Sequence, residues 1–170
     1  LAAYSPEFRT AALCEMAKIE LRLGDVAEAL RHSKKAFESC VTSIEALVLC
    51  SLALRMYGRS ESAREEIAHG LAIWPLAQQL RCEAYFNGQI DKAEFREGIR
   101  GEFPHETLLG LGFWYLSCGR VAEARELFAL CGSFLGELAC AHLDGDVGAL
   151  GRIAKGSVRF VHPFREESVA

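Results

Sequence analysis

Apolar residues recur along most of the chain with the spacing of amphipathic helices, in stretches of about a dozen residues separated by short polar turns. The first stretch has apolar residues close to the i, i+3, i+4, i+7 spacing that places side chains on one helix face. They are Leu13, Met16, Ala17, Ile19 and Leu23. The spacing predicts a helix whose apolar face packs on a core.

The stretches repeat along the chain. Gly24 and Gly58 are separated by the same distance along the sequence as Ala29 and Ala63. That distance is about 34 residues, the period typical of tetratricopeptide repeats. A third copy has Gly119 followed by Ala124, again five residues later. Glycine ends a helix cheaply in the left-handed conformation, and the small alanine lets two antiparallel helices approach closely.

The distance from Gly58 to Gly119 is seven residues shorter than two full periods. This difference predicts a shortened repeat between them. Pro75 falls where the second helix of repeat two must stop. The pattern predicts paired helices at about 6–23 and 26–39, 44–57 and 60–72, 76–87 and 91–101, 105–118 and 121–131, and 136–143 and 146–154.

We therefore expect an all-α fold, an α-solenoid of antiparallel helical hairpins resembling a tetratricopeptide superhelix. The predicted array covers residues 1–154, and residues 155–170 form a C-terminal tail with a weak strand pattern at 157–161. Its repeats lie at about 6–42, 43–75, 76–103 (degenerate), 104–135 and 136–154 (partial).

Four segments resemble, in order, the C-terminal repeat region of a bacterial family of uncharacterised proteins with a β-rich N-terminal domain. They are Tyr4–Arg9 with Ala12–Glu15; Trp74–Leu76 with Arg81–Glu83; Pro104–Leu109 with Phe113–Tyr115 and Gly119; and Val161–Glu166. The chain departs from the family at Trp74 and at Ala77-Gln78, where the family has Asp before the proline and an Asn-His pair after it. The resemblance implies helical repeats and a carbohydrate-related N-terminal part in some members.

Composition and charge exclude several classes of protein. Hydrophobic residues make up 51% of the 170 residues, which is ordinary for a globular domain, and the net charge of −4 gives no basic footprint for nucleic acid. No apolar run approaches the roughly 20 residues that span a bilayer. The seven cysteines form no CxxC pair, and we expect reduced, buried thiols in a cytoplasmic protein.

The chemistry-bearing residues predict no enzyme. The five histidines form neither HxxxH nor HExxH, and in the closest cluster Cys140 and His142 point in different directions. Cys118 precedes Gly119 at a helix C-terminus, where the helix dipole raises a thiol pKa. We expect no catalytic residues, no metal and no cofactor.

The tetratricopeptide geometry places a mixed groove on the concave face, where the apolar residues are Leu52 and Phe113 and the cations are Lys18, Arg22 and Arg55. For these cations two interpretations stay open: contact with an anionic or C-terminal segment, or a solvated surface that Glu20 and Glu45 neutralise locally.

Two functions are consistent with these patterns. One is a non-catalytic scaffold that binds a protein or peptide, as a monomer or weak dimer. The other is an accessory helical segment of a carbohydrate-active enzyme. The chain begins with Leu1 rather than Met, and we expect it to be part of a longer multidomain bacterial protein.

Overall fold

The computed structural model describes residues 5–99 and 103–155, apart from the side chains of 153–155. In these ranges the protein is all-helical, with ten helices and no strand. They are α1 (Pro6–Leu23), α2 (Val26–Ser39), α3 (Ile44–Met56), α4 (Ser60–Ile73), α5 (Gln78–Phe86), α6 (Lys92–Gly98), α7 (Pro104–Ser117), α8 (Val121–Cys131), α9 (Phe134–Leu143) and α10 (Val147–Lys155).

The helices confirm the paired pattern expected from the sequence. The first pair has the predicted bounds, and the ends of the other described helices differ from the prediction by no more than three residues. Position 101, the predicted end of the sixth helix, and the weak strand at 157–161 lie outside the described residues. Lys155, assigned to the tail, belongs to α10.

The signals that end and join the helices are local. Gly24, Gly58 and Gly119 all have positive φ, between +72° and +83°, as a left-handed helix end requires. Side chains of Ser5, Asp25 and Ser43 accept hydrogen bonds from backbone N–H groups at helix starts. These interactions are confined to a few neighbouring residues, which is why the helix bounds follow from the sequence.

Consecutive helices pack against each other from α1 to α6 and again from α7 to α10, and the small residues lie at the contacts. Ala29, Ala63 and Ala124 are fully buried, as predicted. Gly112 on α7 also has a packing role, because a Cβ atom there would lie 2.4 Å from the Phe128 ring on α8.

Four helices, α1, α3, α5 and α7, form an inner layer in which α1 contacts α3, α3 contacts α5, α5 contacts α7, and α7 contacts α1. At the contact between α1 and α7, a Cβ on Gly119 would lie 2.9 Å from Arg22 Cα. The two helices of the α5–α6 pair are short, because α5 has nine residues and α6 has seven. The first two helix pairs and α7 therefore pack around a filled interior.

The sequence prediction for the face of α1 was wrong at three positions. Thr10, Cys14, Ala17 and Leu21 form its buried face, whereas Met16, Ile19 and Leu23 are exposed on the opposite side. Both faces of α1 carry apolar residues, so the helical period alone does not select the one that packs on the core.

Candidate functional site

The centre of the inner layer holds a network of buried charges. Glu83 on α5 is 0% exposed and accepts two hydrogen bonds from the Arg55 guanidinium, at 3.1 Å from Nε and 3.2 Å from Nη2. Tyr115 on α7 donates its hydroxyl to the same carboxylate. Arg55 Nη1 lies 3.2 Å from Glu123 Oε1 on α8, which Arg120 also contacts. One arginine therefore joins α3 to α5 and α8.

Burial and charge act against each other on these groups. Burial by itself raises the pKa of Glu123, but hydrogen bonds from Arg120 and the backbone, with the charges of Arg120 and Arg55, bring that pKa below its ordinary value. Burial lowers the pKa of Arg55, and the Glu83 carboxylate together with the neighbouring Tyr115 and Glu123 more than reverses that effect. Arg55 and Glu123 are therefore both charged at neutral pH and stabilise each other.

A second ion pair closes the contact between α1, α3 and α7. Lys18 Nζ lies 2.5 Å from Glu45 Oε1 and 2.7 Å from Glu15 Oε1. Trp114 Nε1 on α7 donates to Glu45 Oε1 at 3.4 Å. Lys18 is thus neutralised by Glu45, as one of the two interpretations from the sequence expects, but the ion pair is mostly buried and not on a solvated surface.

The five residues of the predicted groove do not line one open surface. Leu52 is 0% exposed, and Lys18 and Arg55 are mostly buried in ion pairs. Arg22 is exposed at the end of α1, and Phe113 is exposed on α7. The reason is that α7 contacts both α1 and α5, which buries Lys18, Leu52 and Arg55 among the inner helices. Glu20, the other neutralising residue proposed, contacts His32 instead.

An open apolar groove lies at the other end of the inner layer, between α7, α8, α9 and α10. Its volume is about 390 Å³, within the range of ligand pockets. The residues lining it are Leu109, Phe113, Leu116, Phe128, Leu135, Leu138, Ala139, His142, Leu143 and Leu150. We call it the C-terminal groove. The Phe113 ring, 58% exposed, packs edge-on against Phe128 at its wall.

The tetratricopeptide geometry predicts Glu106, Leu109, Phe113, Leu116 and Ser117 on the concave face of repeat four. Three of these five, Leu109, Phe113 and Leu116, line the C-terminal groove. The sequence therefore located one wall of the groove. It did not locate the opposite wall on α9 and α10, since only the packing of the last helix pair against α7 and α8 creates it.

A cluster of potential metal ligands brings Glu20, Glu28 and His32 atoms within 4.8 Å of one another. His32 Nδ1 lies 2.7 Å from Glu20 Oε1, and its Nε2 lies 2.8 Å from Arg31 Nη2. Because a guanidinium only donates, Nε2 accepts and Nδ1 donates to Glu20. Arg31 also contacts Glu28. This hydrogen-bonded group joins α2 to α1. Because its members lie on two different helices, the spacing of residues along the sequence did not indicate the cluster.

Near Cys140 and His142, the Arg125 guanidinium binds both carboxylate oxygens of Asp144 at 2.7 Å. Cys140 Sγ donates to the Arg125 carbonyl at 3.6 Å. The polar groups of Cys140 and Asp144 thus tie α9 to α8.

A scan against models of protein families, a search of curated proteins and a search of solved structures each find no match to this chain. Among the described helices, none is both long and apolar enough to cross a membrane.

All seven cysteines are free thiols. Cys14, Cys50, Cys82 and Cys118 are buried as predicted, whereas burial was wrongly predicted for Cys40, Cys131 and Cys140, which are partly exposed. Burial raises the pKa of Cys14 and Cys118 to about 12 and that of Cys50 to about 11, so each is a protonated, unreactive thiol at neutral pH.

We expect no more than three thiols to react quickly with Ellman's reagent in the native protein at pH 8, and all seven after denaturation. The three are the partly exposed cysteines. Mass spectrometry of the modified protein identifies them, and wild type in denaturant is the control for total thiol content. Rapid native reaction of five or more would contradict the burial of the inner-layer cysteines, and fewer than six in denaturant would contradict the reduced state.

Proposed function

We propose that this protein is a non-catalytic protein-interaction scaffold of tetratricopeptide-like helix pairs, which binds an apolar peptide segment of another protein in the C-terminal groove. The observation that carries the proposal is the groove itself, an apolar concavity with the exposed Phe113 ring at its wall. Buried aromatic anchors dominate the energetics of protein interfaces, and an exposed ring beside a groove is suited to that role.

The repeat positions support the tetratricopeptide-like assignment. Gly24, Gly58 and Gly119 end the first helix of their pairs with positive φ, and the alanine five residues later is fully buried in each pair. The seven free thiols favour a reducing compartment, and we place the protein in the cytoplasm as part of this proposal.

The chemistry of the groove defines the partner segment. Nine of its ten lining residues are apolar, and His142 is the exception. Burial of apolar side chains contributes about 25 cal/mol per Å² of surface removed from water, so a partner with two or three large apolar side chains gains most there. A charged segment gains little, because the walls supply almost no partner for a buried charge.

The test is selection of peptides from a random display library on the full chain, followed by titration of the selected peptides. We expect the peptides to share large apolar residues and to bind Phe113→Asp at least tenfold more weakly. Val147→Asp is the matched control, since Val147 is an exposed apolar residue of α10 that does not line the groove. Circular dichroism checks that both variants keep wild-type helicity.

Peptides that bind both variants equally would refute the C-terminal groove as the binding site. A synthetic peptide of residues 156–170 is titrated in parallel, because this sequence follows α10 directly and carries Val158, Phe160, Val161 and Phe164. Tight, Phe113-dependent binding of that peptide alone would make the chain's own C-terminal sequence the occupant and would refute a partner protein.

A further inference from the structure

Helix α1 carries an apolar stripe on the side that faces away from the core. It consists of Ala12, Met16, Ile19 and Leu23, all exposed, with Ile19 at 53% and Leu23 at 78%. The spacing of four, three and four residues is that of the a and d positions of a coiled-coil seam, with Ala12 and Ile19 at d and Met16 and Leu23 at a. We call these four residues the α1 stripe.

The repeat shows what normally covers such a face. A shift of one repeat period places Ala12, Met16 and Ile19 at Ala46, Cys50 and Ala53 of α3. These three are buried, and Cys50 shares a cluster with Leu30 of α2, a helix of the preceding pair. In repeat two this face is therefore buried at three positions, with Cys50 against the preceding pair, whereas Tyr57, the counterpart of Leu23, is half-exposed.

We propose that the α1 stripe is a dimerisation surface, on which the α1 helix of a second copy of this chain packs antiparallel about a two-fold axis. In antiparallel coiled coils the a positions of one helix face the d positions of the other. Ala12 then meets Leu23 of the partner subunit, and Met16 meets Ile19 of the partner subunit. Both contacts occur twice by symmetry, and the small Ala12 accommodates the larger leucine.

The charges beside the α1 stripe favour a second copy in this orientation. Glu15 and Arg22 are both exposed and occupy successive g positions. Antiparallel packing brings g positions of the two helices together, so Glu15 of each subunit lies near Arg22 of the other, in two symmetric ion pairs. Parallel packing would instead bring Glu15 against Glu20 at position e, which is repulsive.

Packing of the α1 stripe on the far end of another copy is less favourable. The outward residues of α10 include Gly148, Gly151 and Arg152, which are exposed and offer little apolar surface. Among the described side chains of α10, Val147 is the one large exposed apolar residue, which is a single side chain rather than a stripe. The α1 end has the apolar face, so we infer a symmetric contact of α1 with α1.

The α1 stripe covers only about three turns, or about 16 Å of helix, which is short for a stable coiled coil. The dimer is therefore weak and forms at high protein concentration.

The test is sedimentation velocity of the full chain over a range from about 1 to 500 μM. We expect a concentration-dependent shift from monomer to dimer. Ile19→Glu should raise the dissociation constant at least tenfold, whereas Leu76→Glu, at a 74% exposed leucine outside the α1 stripe, should leave it unchanged. A protein that remains monomeric over the whole range, or a dimer insensitive to Ile19→Glu, overturns the proposal.

Charge reversal tests the orientation. Because Glu15 also pairs with Lys18 of its own helix, circular dichroism checks that each variant keeps wild-type helicity. Glu15→Arg should weaken the antiparallel dimer, and Glu15→Arg/Arg22→Glu should restore it, with both effects reduced by salt. If Glu15→Arg strengthens association, the helices are parallel and the antiparallel proposal is wrong. Phe113→Asp should leave dimerisation unchanged, which separates failure of this inference from failure of the C-terminal groove.

Discussion

Replacement of Glu83 by alanine is expected to destabilise the protein by about 3–5 kcal/mol, the range for removing one partner of a buried ion pair. Glu83 accepts hydrogen bonds from Nε and Nη2 of Arg55 and from the Tyr115 hydroxyl, so the variant leaves three donor groups without their acceptor, while Arg55 Nη1 keeps Glu123. The free energy of unfolding, from urea titration followed by circular dichroism, measures this loss.

Two variants make the Glu83 experiment decisive. Glu28→Ala removes a solvent-screened ion pair with Arg31 and should leave the free energy of unfolding close to that of wild type. Arg55→Met/Glu83→Leu replaces the central pair with apolar residues of similar volume and should recover much of the lost stability. If Glu83→Ala lowers the free energy of unfolding by less than about 1 kcal/mol, water reaches Arg55 and the inner layer is not closed around this ion pair.

Replacement of Leu52 by alanine is expected to cost about 2–5 kcal/mol, the range for a large aliphatic side chain removed from a packed core. Leu52 is completely buried and belongs to the main hydrophobic cluster. The same variant should bind the peptides selected on the C-terminal groove with wild-type affinity. The result would separate a core role for Leu52 from the ligand role that the concave-face pattern predicts.

Leu76→Ala is the matched control for Leu52, because the same side chain is removed from a mostly exposed position. It should change stability by no more than about 0.5 kcal/mol. A loss of peptide binding in Leu52→Ala, at temperatures where the variant is fully folded, would reinstate Leu52 as part of the binding surface.

The α1 helix shows where sequence reasoning failed at the level of a face. Its bounds follow from Ser5, Pro6 and Gly24, whose effects extend over a single turn. Its core face depends on α2, α3 and α7, which surround one side only. Because both faces carry apolar side chains, the choice between Leu21 and Ile19 as the buried residue is made by the neighbouring helices.

The predicted cation groove failed for a related reason. Arg55 contacts Glu83 and Glu123, both far along the chain, and no local pattern indicates which carboxylate a later helix will bring to it. An open tetratricopeptide superhelix would have left Lys18 and Arg55 on a concave surface. The shortened α5–α6 pair and the contact of α7 with α1 place them inside the protein instead.

The sequence by itself determined the number of helices, their pairing, the glycines that end them and the alanines between them, because these features rest on interactions among residues close in the chain. Only the tertiary structure decided that the first two pairs enclose ion pairs and that the C-terminal groove opens beside Phe113. It also decided that the α1 stripe faces outward. These outcomes depend on contacts between helices that are far apart in the sequence. The neighbouring helices determine whether a side chain is buried and which charged group it pairs with.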